Sequence, residues 1–508
     1  MDTLEREASE VLCLVRSRKN SSAPINRIPP EILSLIPDYC DKHHRDRALV
    51  KLTHVCSSWR KIFLSRSSLW THLDFQNVDK TRTYIHRSRS SPLHARLDDG
   101  GTKSYRNEAF SLVLPHLRRL KSLIISTNGP FDISEHFHSR APLLEELHIR
   151  LICPHSRRVD NKLFGGDLSS LRVLCLARVS TNLPWNNMAN LMVLNLTNCQ
   201  LARKVTVTQL LDFLESAPLL HTVALLESIP DSFDAPRERV VILSHLETIT
   251  VTVRPGHSIL NHLRIPHGAS LKVWATVNGA ESPLLDYLPE TSPNFKNLSN
   301  ITMLNFCFEY ETKYMRLGGP SGSLSIVARW EDWVIPYTMD DQILRSLFPA
   351  MLSNIKRLTL SNYTHQGPTT TTEDSPLFQI LSSMNNLRSL ILSDCDQQPF
   401  FFALNPEKNP SELVLCPHLE ELILYSSSWK RTEHLINMTE SRASRQAKLV
   451  SIKMIFLDGP VLQSEVSKLA RYVTEVMYGR SRRMPLWDDL FSEYESGLVK
   501  YFVRYSGS

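Results

Sequence analysis

A repeat restricts this chain more than any other feature of its sequence. An apolar residue, two variable residues, a second apolar residue, a spacer and a third apolar residue recur along most of its length. The first copies read Leu120-Lys-Ser-Leu123-Ile-Ile125, Leu144-Glu-Glu-Leu147-His-Ile149, Leu171-Arg-Val-Leu174-Cys-Leu176 and Leu191-Met-Val-Leu194-Asn-Leu196. Further copies begin at Leu220, Leu246, Leu271, Leu298, Ile355, Leu387, Leu419 and Leu449. Starts are 20–32 residues apart, except for one gap of 57 that Leu324-Ser-Ile326 divides as a degenerate copy. Roughly one residue in seven is leucine, and the repeat is where much of it is placed.

The physical reading is a stack. A short strand with alternating leucines cannot bury them alone, and side-by-side repetition supplies the missing neighbours. A period averaging about 27 residues is that of a leucine-rich repeat. The fold class expected is therefore α/β: a leucine-rich-repeat solenoid of parallel strands and helices over residues 76–460, with a helix and cap over 461–508. Helices are expected at Thr208–Ser216, Asp340–Leu352 and Pro376–Met384. Prolines at 142, 218 and 417 precede strands, where the missing amide hydrogen ends a helix. Asn128, Cys199 and Cys395 occupy the position where such repeats place Asn or Cys. Residues 305–340 break the period and hold Tyr310, Tyr314, Trp330 and Trp333. They read either as a buried, decayed repeat or as exposed binding aromatics.

Composition removes other classes. Net charge is +6 over 508 residues, and the basic clusters at Lys80–Arg96, Arg157-Arg158 and Arg480–Arg483 are short and interrupted. Neither a nucleic-acid stripe nor a membrane span is expected. The acidic start (Glu5, Glu7, Glu10) is unlike a signal peptide, and the nine cysteines contain no CxxC pair. Reduced thiols in a cytoplasmic or nuclear protein are expected. The histidines (43–44, 136/138, 262/267, 418) lack metal-site spacing. Gly318-Gly-Pro-Ser-Gly322 reads as a loop, no catalytic constellation is present, and no metal or cofactor is expected.

The first hundred residues lie outside the repeat. Residues 1–24 read as an amphipathic docking helix and linker. Residues 25–75 read as three short helices with apolar faces Ile32, Leu33, Ile36; Leu49, Leu52, Val55; and Trp59, Ile62, Phe63. A module of this size cannot hide that surface alone. Its sequence, Ile28-Pro-Pro-Glu-Ile-Leu33, then Leu52-x-x-Val-Cys-x-x-Trp-Arg60, then Ser68-Leu-Trp70, resembles an F-box. The chain as a whole is similar to the large fungal family of F-box proteins with leucine-rich repeats. The resemblance implies that Ile28, Pro29, Ile32, Leu33, Ile36, Leu52, Val55, Cys56 and Trp59 engage a Skp-type adaptor, and through it a cullin–RING ubiquitin ligase. Pro37 and Cys40 depart from the family pattern, and Pro37 is expected to end the first helix early.

The variable strand positions of a repeat stack form its usual binding face. Here they offer Glu145, Glu146, His148, Arg150, Lys272, Lys356, Arg357, Arg388, Glu420, Glu421 and Tyr425 for a target protein. The expected function is substrate recognition for an SCF-type ubiquitin ligase, without catalysis by this chain. The alternative is a non-catalytic binding or scaffold protein whose F-box has decayed at Pro37 and recruits no ligase.

Overall fold

The computed structural model describes residues 2–39, 45–75, 77–98, 108, 110–127, 137–151, 158–159, 162–181, 185, 188–201, 205–230, 234–236, 238–253, 259–277, 301–308, 312–319, 322–330, 352–361, 376–408, 413–426, 432–456 and 463–480. It is mixed α/β, and the chain divides into two compact units, Met1–Leu191 and Met192–Tyr501.

The first unit opens with helices α1 (Asp2–Ser22), α2 (Pro30–Leu33), α3 (Arg45–Thr53) and α4 (Ser57–Ser65). Strand β1 (His72–Asp74), helix α5 (Val78–Ser88) and strands β2 (Leu93–Asp98), β3 (Leu120–Thr127), β4 (Glu146–Leu151) and β5 (Val173–Ala177) follow. The five strands form one parallel ladder in chain order. It starts earlier than the repeat pattern indicates, because β1 and β2 carry Leu73, Leu93, Ala95 and Leu97 inward without the full motif. Asn77 caps α5 by accepting from the Lys80 amide at 2.9 Å. The Arg119 guanidinium closes the other end, donating to the carbonyls of Ile85 (3.2 Å), Ser91 (3.3 Å) and Arg89. A stack of phenylalanines, Phe75, Phe110, Phe137 and Phe164, runs behind the strands at centroid spacings of 5.6, 5.6 and 5.3 Å.

The second unit holds β6 (Val193–Thr197), α6 (Val207–Glu215), β7 (Thr222–Leu226), β8 (Thr248–Val253) and β9 (Ser270–Val277). Next come β10 (Met303–Phe308), β11 (Thr312–Gly319), β12 (Gly322–Trp330), β13 (Arg357–Ser361), α7 (Pro376–Ser383), β14 (Ser389–Ser393) and α8 (Gln398–Ala403). The unit continues with β15 (Glu421–Ser426), α9 (Thr432–Ser444), β16 (Ser451–Phe456), α10 (Gln463–Leu469) and β17 (Glu475–Arg480). Leu194, Val223, Ile249, Leu271 and Leu324 align across one run of parallel strands. Leu304, Leu358, Leu390, Leu422, Ile452 and Val476 align across a second.

Three regularities explain why these segments adopt one local structure. The first apolar residue of eight copies donates its amide to the carbonyl three residues earlier: Leu144 to Ala141, Leu171 to Leu168, Leu191 to Met188, Leu220 to Ala217, Leu246 to Leu243, Ile355 to Leu352, Leu387 to Met384 and Leu419 to Cys416, at 2.9–3.2 Å. Pro142, Pro218 and Pro417 are the second residues of such turns, where a fixed φ near −65° fits; they launch strands as well as ending helices. The inward pairs Leu123/Ile125, Leu147/Ile149, Leu174/Leu176, Leu194/Leu196, Leu390/Leu392 and Leu422/Leu424 are fully buried. Finally, the residue after several strands has positive φ: Arg178, Asn198, Glu227 and Asp394, at 47–56°.

The strand order departs from the repeat reading most between β9 and β13. Between β9 and β13 the chain makes a three-stranded antiparallel meander, with β11 paired to both β10 and β12. Strand β12 lies beside β9 and β10 beside β13, so the copy at Leu324 takes the position that strict chain order would give to Leu298. The reversal fits the glycines at 318, 319 and 322, which lie where β11 and β12 meet, with Gly319 paired to Gly322. At the C-terminal side, helix α10 leads into a further strand, β17, where only a helix and cap are expected from sequence. The helix expected at 340–352 and Asn128 fall almost wholly or wholly outside the described residues.

Candidate protein-binding surfaces

The helical module before the ladder has a small, well-made interior. Leu33 (2 % exposed), Leu49, Trp59 (5 %) and Phe63 are buried. The Trp59 and Phe63 rings lie 5.8 Å apart, and the Trp59 indole donates to the Asn26 amide oxygen. Trp70 fixes the module to α5: its indole donates to the Phe63 carbonyl at 2.9 Å. The Tyr84 ring meets it edge-on at 5.0 Å, and Arg87 lies over it at 4.4 Å. Lys80 of α5 pairs with Asp46 of α3 at 2.6 Å, so part of the basic cluster at 80–96 serves internal contacts.

Several apolar side chains of the module remain outside. Ile32 is 53 % and Val55 56 % exposed, joined by Ile25, Leu35 and Val50. Ile28, Ile36, Leu52 and Cys56 are half-buried and Pro29 is exposed. Of the expected adaptor-facing residues, Leu33 and Trp59 are thus interior residues that shape the surface rather than form it. Leu35, Val50 and Ile25 were hidden to motif matching; their signal is simply that they are apolar and point away from the Leu33–Trp59 core. Helix α2 stops at Leu33, and a 3-10 turn, Ile36–Tyr39, contains the buried Pro37.

The strand faces present the second set of candidates. In the first unit Ser122 donates to Glu146 at 2.9 Å and Lys121 pairs with Glu145 at 3.4 Å, each bond joining β3 to β4 or the residues beside them. In the second unit the Leu-Glu-Glu-Leu tetrapeptide recurs at 419–422, beside Leu387-Arg-Ser-Leu390, where arginine stands in place of the Lys121 of Leu120-Lys-Ser-Leu123. Ser389 donates to Glu421 at 2.8 Å, and Arg388 lies 3.6 Å from Glu420. Lys453 adds a 2.7 Å bond to Glu421. That bond, with Ser389, Lys453 and Arg357 nearby, holds the Glu421 carboxyl below the ordinary range. His148 is buried, and desolvation lowers its pKa while Glu146 opposes the shift. Arg150 and Tyr425 are half-buried; Lys356, Arg357, Arg388 and Glu420 are exposed. The candidate charges therefore fall into two groups, one in each unit, and Glu145, Glu420 and Glu421 are paired with Lys121, Arg388 and Lys453 across neighbouring strands. Pairs like these are worth about 0.2–1 kcal/mol each.

The cysteines at the expected repeat position seal strand ends. The Cys199 amide donates to the Ser228 hydroxyl at 2.9 Å, and the Cys395 Sγ lies 3.1 Å from the Leu360 carbonyl oxygen. Among the described residues, no group of His, Cys, Asp or Glu is gathered as for a metal, and no helix is long and apolar enough to cross a membrane.

No curated protein matches this chain. Residues 25–76 match the family described as F-box-like, the stretch that holds the buried Leu33–Trp59 core and the exposed Ile32 and Val55. The chain carries an F-box-like domain, a module that generally binds Skp-type adaptors and suggests a role in SCF-type ubiquitin ligases.

Proposed function

We propose that this protein is the substrate-recognition subunit of an SCF-type cullin–RING ubiquitin ligase. The observation that carries the reading is the exposure of five apolar side chains, Ile25, Ile32, Leu35, Val50 and Val55, on the F-box-like domain. Such a surface on so small a module calls for a protein partner. Ile28, Pro29, Ile36, Leu52 and Cys56 line its margin, with Leu33 and Trp59 beneath. The ladders, read as leucine-rich repeats in a solenoid over 76–460, hold the target. Their mixed-charge positions, from Glu145 to Arg150 and from Lys356 to Tyr425, are the candidate contacts. The chain contributes proximity and orientation, and ubiquitin transfer is performed by the enzymes recruited through the adaptor. It acts in the cytoplasm or nucleus.

Affinity capture of the tagged full chain from cells, with and without proteasome inhibition, tests this. Adaptor and cullin in the eluate, with further proteins accumulating under inhibition, support it; an eluate without adaptor refutes it. The second reading, a binding or scaffold protein with a decayed F-box, is favoured by one observation: α2 is a single turn ended before the buried Pro37. It predicts that wild type captures no adaptor and that Pro37→Leu restores capture.

A further inference from the structure

Helix α1 (Asp2–Ser22) carries a row of exposed apolar residues: Leu4, Val11, Leu12 and Val15, of which Leu4 is 73 % exposed. Leu4, Ala8, Val11 and Val15 follow the spacing 4, 8, 11, 15, the alternating four-and-three pattern of a helix seam, with the exposed Leu12 and Leu14 on either side of it. The charges along the helix are segregated. Glu5, Glu7 and Glu10 stand in its first half, with Arg6 lying 3.9 Å from Glu10. Arg16, Arg18 and Lys19 stand in its second. At 100° per residue, Glu5, Arg16 and Lys19 flank one side of the seam, and Glu7 and Arg18 flank the other.

We propose that α1 pairs antiparallel with α1 of a second copy of this chain. A twofold axis near Val11-Leu12 sets Ala8 against Val15 and Val11 against Leu12. It also brings Glu5 toward Lys19 and Arg18, and Glu7 toward Arg18 and Arg16, of the other copy. One patch thus complements itself, as a C2 interface requires. A parallel pair would instead set acid on acid and base on base. The helix has 21 residues, about 31 Å at 1.5 Å per residue. That is short for a coiled coil, so the association is reversible and concentration-dependent. Two receptors joined in this way would present two F-box-like domains in one assembly.

Sedimentation velocity of the full chain over a wide concentration range reads the association directly. Glu5→Lys with Glu7→Lys is expected to weaken it about tenfold or more, and so is Arg18→Glu with Lys19→Glu. Mixing the two variants restores pairing, because each supplies the charge the other lacks. These positions are solvent-exposed, so folding is spared. In a Cys13→Ser background, Val11→Cys gives a disulfide-linked dimer under mild oxidation and Leu4→Cys does not. A chain monomeric at all concentrations, whether its α1 binds vesicles, another partner or another part of the same chain, overturns the proposal. Charge reversals without effect, or crosslinking through Leu4→Cys but not Val11→Cys, overturn it equally.

Discussion

Arg442, on α9, is buried completely, and its guanidinium donates to backbone carbonyls: Leu415 at 2.8 Å, Cys416 at 2.9 Å and Leu404 at 3.5 Å. Its Nε has no hydrogen-bond partner. The first two carbonyls belong to the turn that launches β15, where Cys416 has a φ of 47°, and the third ends α8. Burial works against the charge and lowers the Arg442 pKa. Each charge-assisted bond contributes about 1.5–3 kcal/mol, part of which offsets that desolvation. Arg442→Ala takes the Arg442 donor from the Leu415 carbonyl and leaves that of Cys416 with the Leu419 amide, both beside a void, and a loss of about 2–5 kcal/mol is expected. Arg442→Met fills most of the volume and removes the buried charge but satisfies no carbonyl, so its cost should be smaller, about 1–3 kcal/mol. Thermal unfolding of the full chain and hydrogen exchange over 398–408 and 413–426 measure both. Faster exchange in those two segments, graded wild type, Met, Ala, is the expected result. If Met equals or exceeds wild type, the desolvation cost outweighs the carbonyl bonds and the reasoning fails.

Glu421→Gln should cost about 0.5–1 kcal/mol, given the partial exposure of the Glu421–Lys453 pair. Because the folded state lowers the Glu421 pKa from an ordinary 4.5, this stabilisation is complete above that value and is lost as pH falls through the folded pKa; urea titrations of wild type and variant should converge in acid. His148 behaves oppositely. Its folded pKa lies below the ordinary 6.5, so it costs nothing above 6.5 and destabilises increasingly as pH falls from there to the folded value. His148→Gln should flatten the difference in denaturant midpoint between about pH 7.5 and about pH 5.5. Glu227→Gly should raise the melting midpoint by relieving a positive φ of 48°, by about 1 kcal/mol; an unchanged or lower midpoint would show that the Glu227 side chain matters more than its backbone.

Much of this architecture was legible because burial recurs at a fixed interval. Leu123, Leu147 and Leu174, or Leu390 and Leu422, could be aligned on paper and are aligned in the ladders. Helices at 207–215 and 376–383 followed from their apolar spacing. The meander at 303–330 was not legible, since periodicity identifies a strand but not its direction, and only the glycines around 320 indicate the reversal. The first two strands were missed because Leu73, Leu93, Ala95 and Leu97 alternate without the repeat's leading leucine. The phenylalanine stack had a signal, Phe110, Phe137 and Phe164 at equal intervals, that a search for leucine passes over. At the candidate surfaces, residue types were readable but exposure was not. The motif named Leu33 and Trp59, which packing took inside, and omitted Leu35 and Val50, which packing left out. The mutual pairing of Ser389, Glu421 and Lys453 depends on cross-strand register, which the sequence shows only once the copies are superposed.

The central claim is that the F-box-like domain recruits an adaptor through its exposed apolar side chains. Calorimetric titration of purified full-length protein with a purified Skp-type adaptor tests it directly, comparing wild type with Ile32→Asp plus Val55→Asp. Both side chains are more than half exposed, so circular dichroism and the melting midpoint should be unchanged. The account predicts a one-to-one complex for wild type and, from two buried charges set against an apolar partner, a loss of about a hundredfold or more for the double variant. No binding by wild type, or equal binding by both proteins, would contradict it.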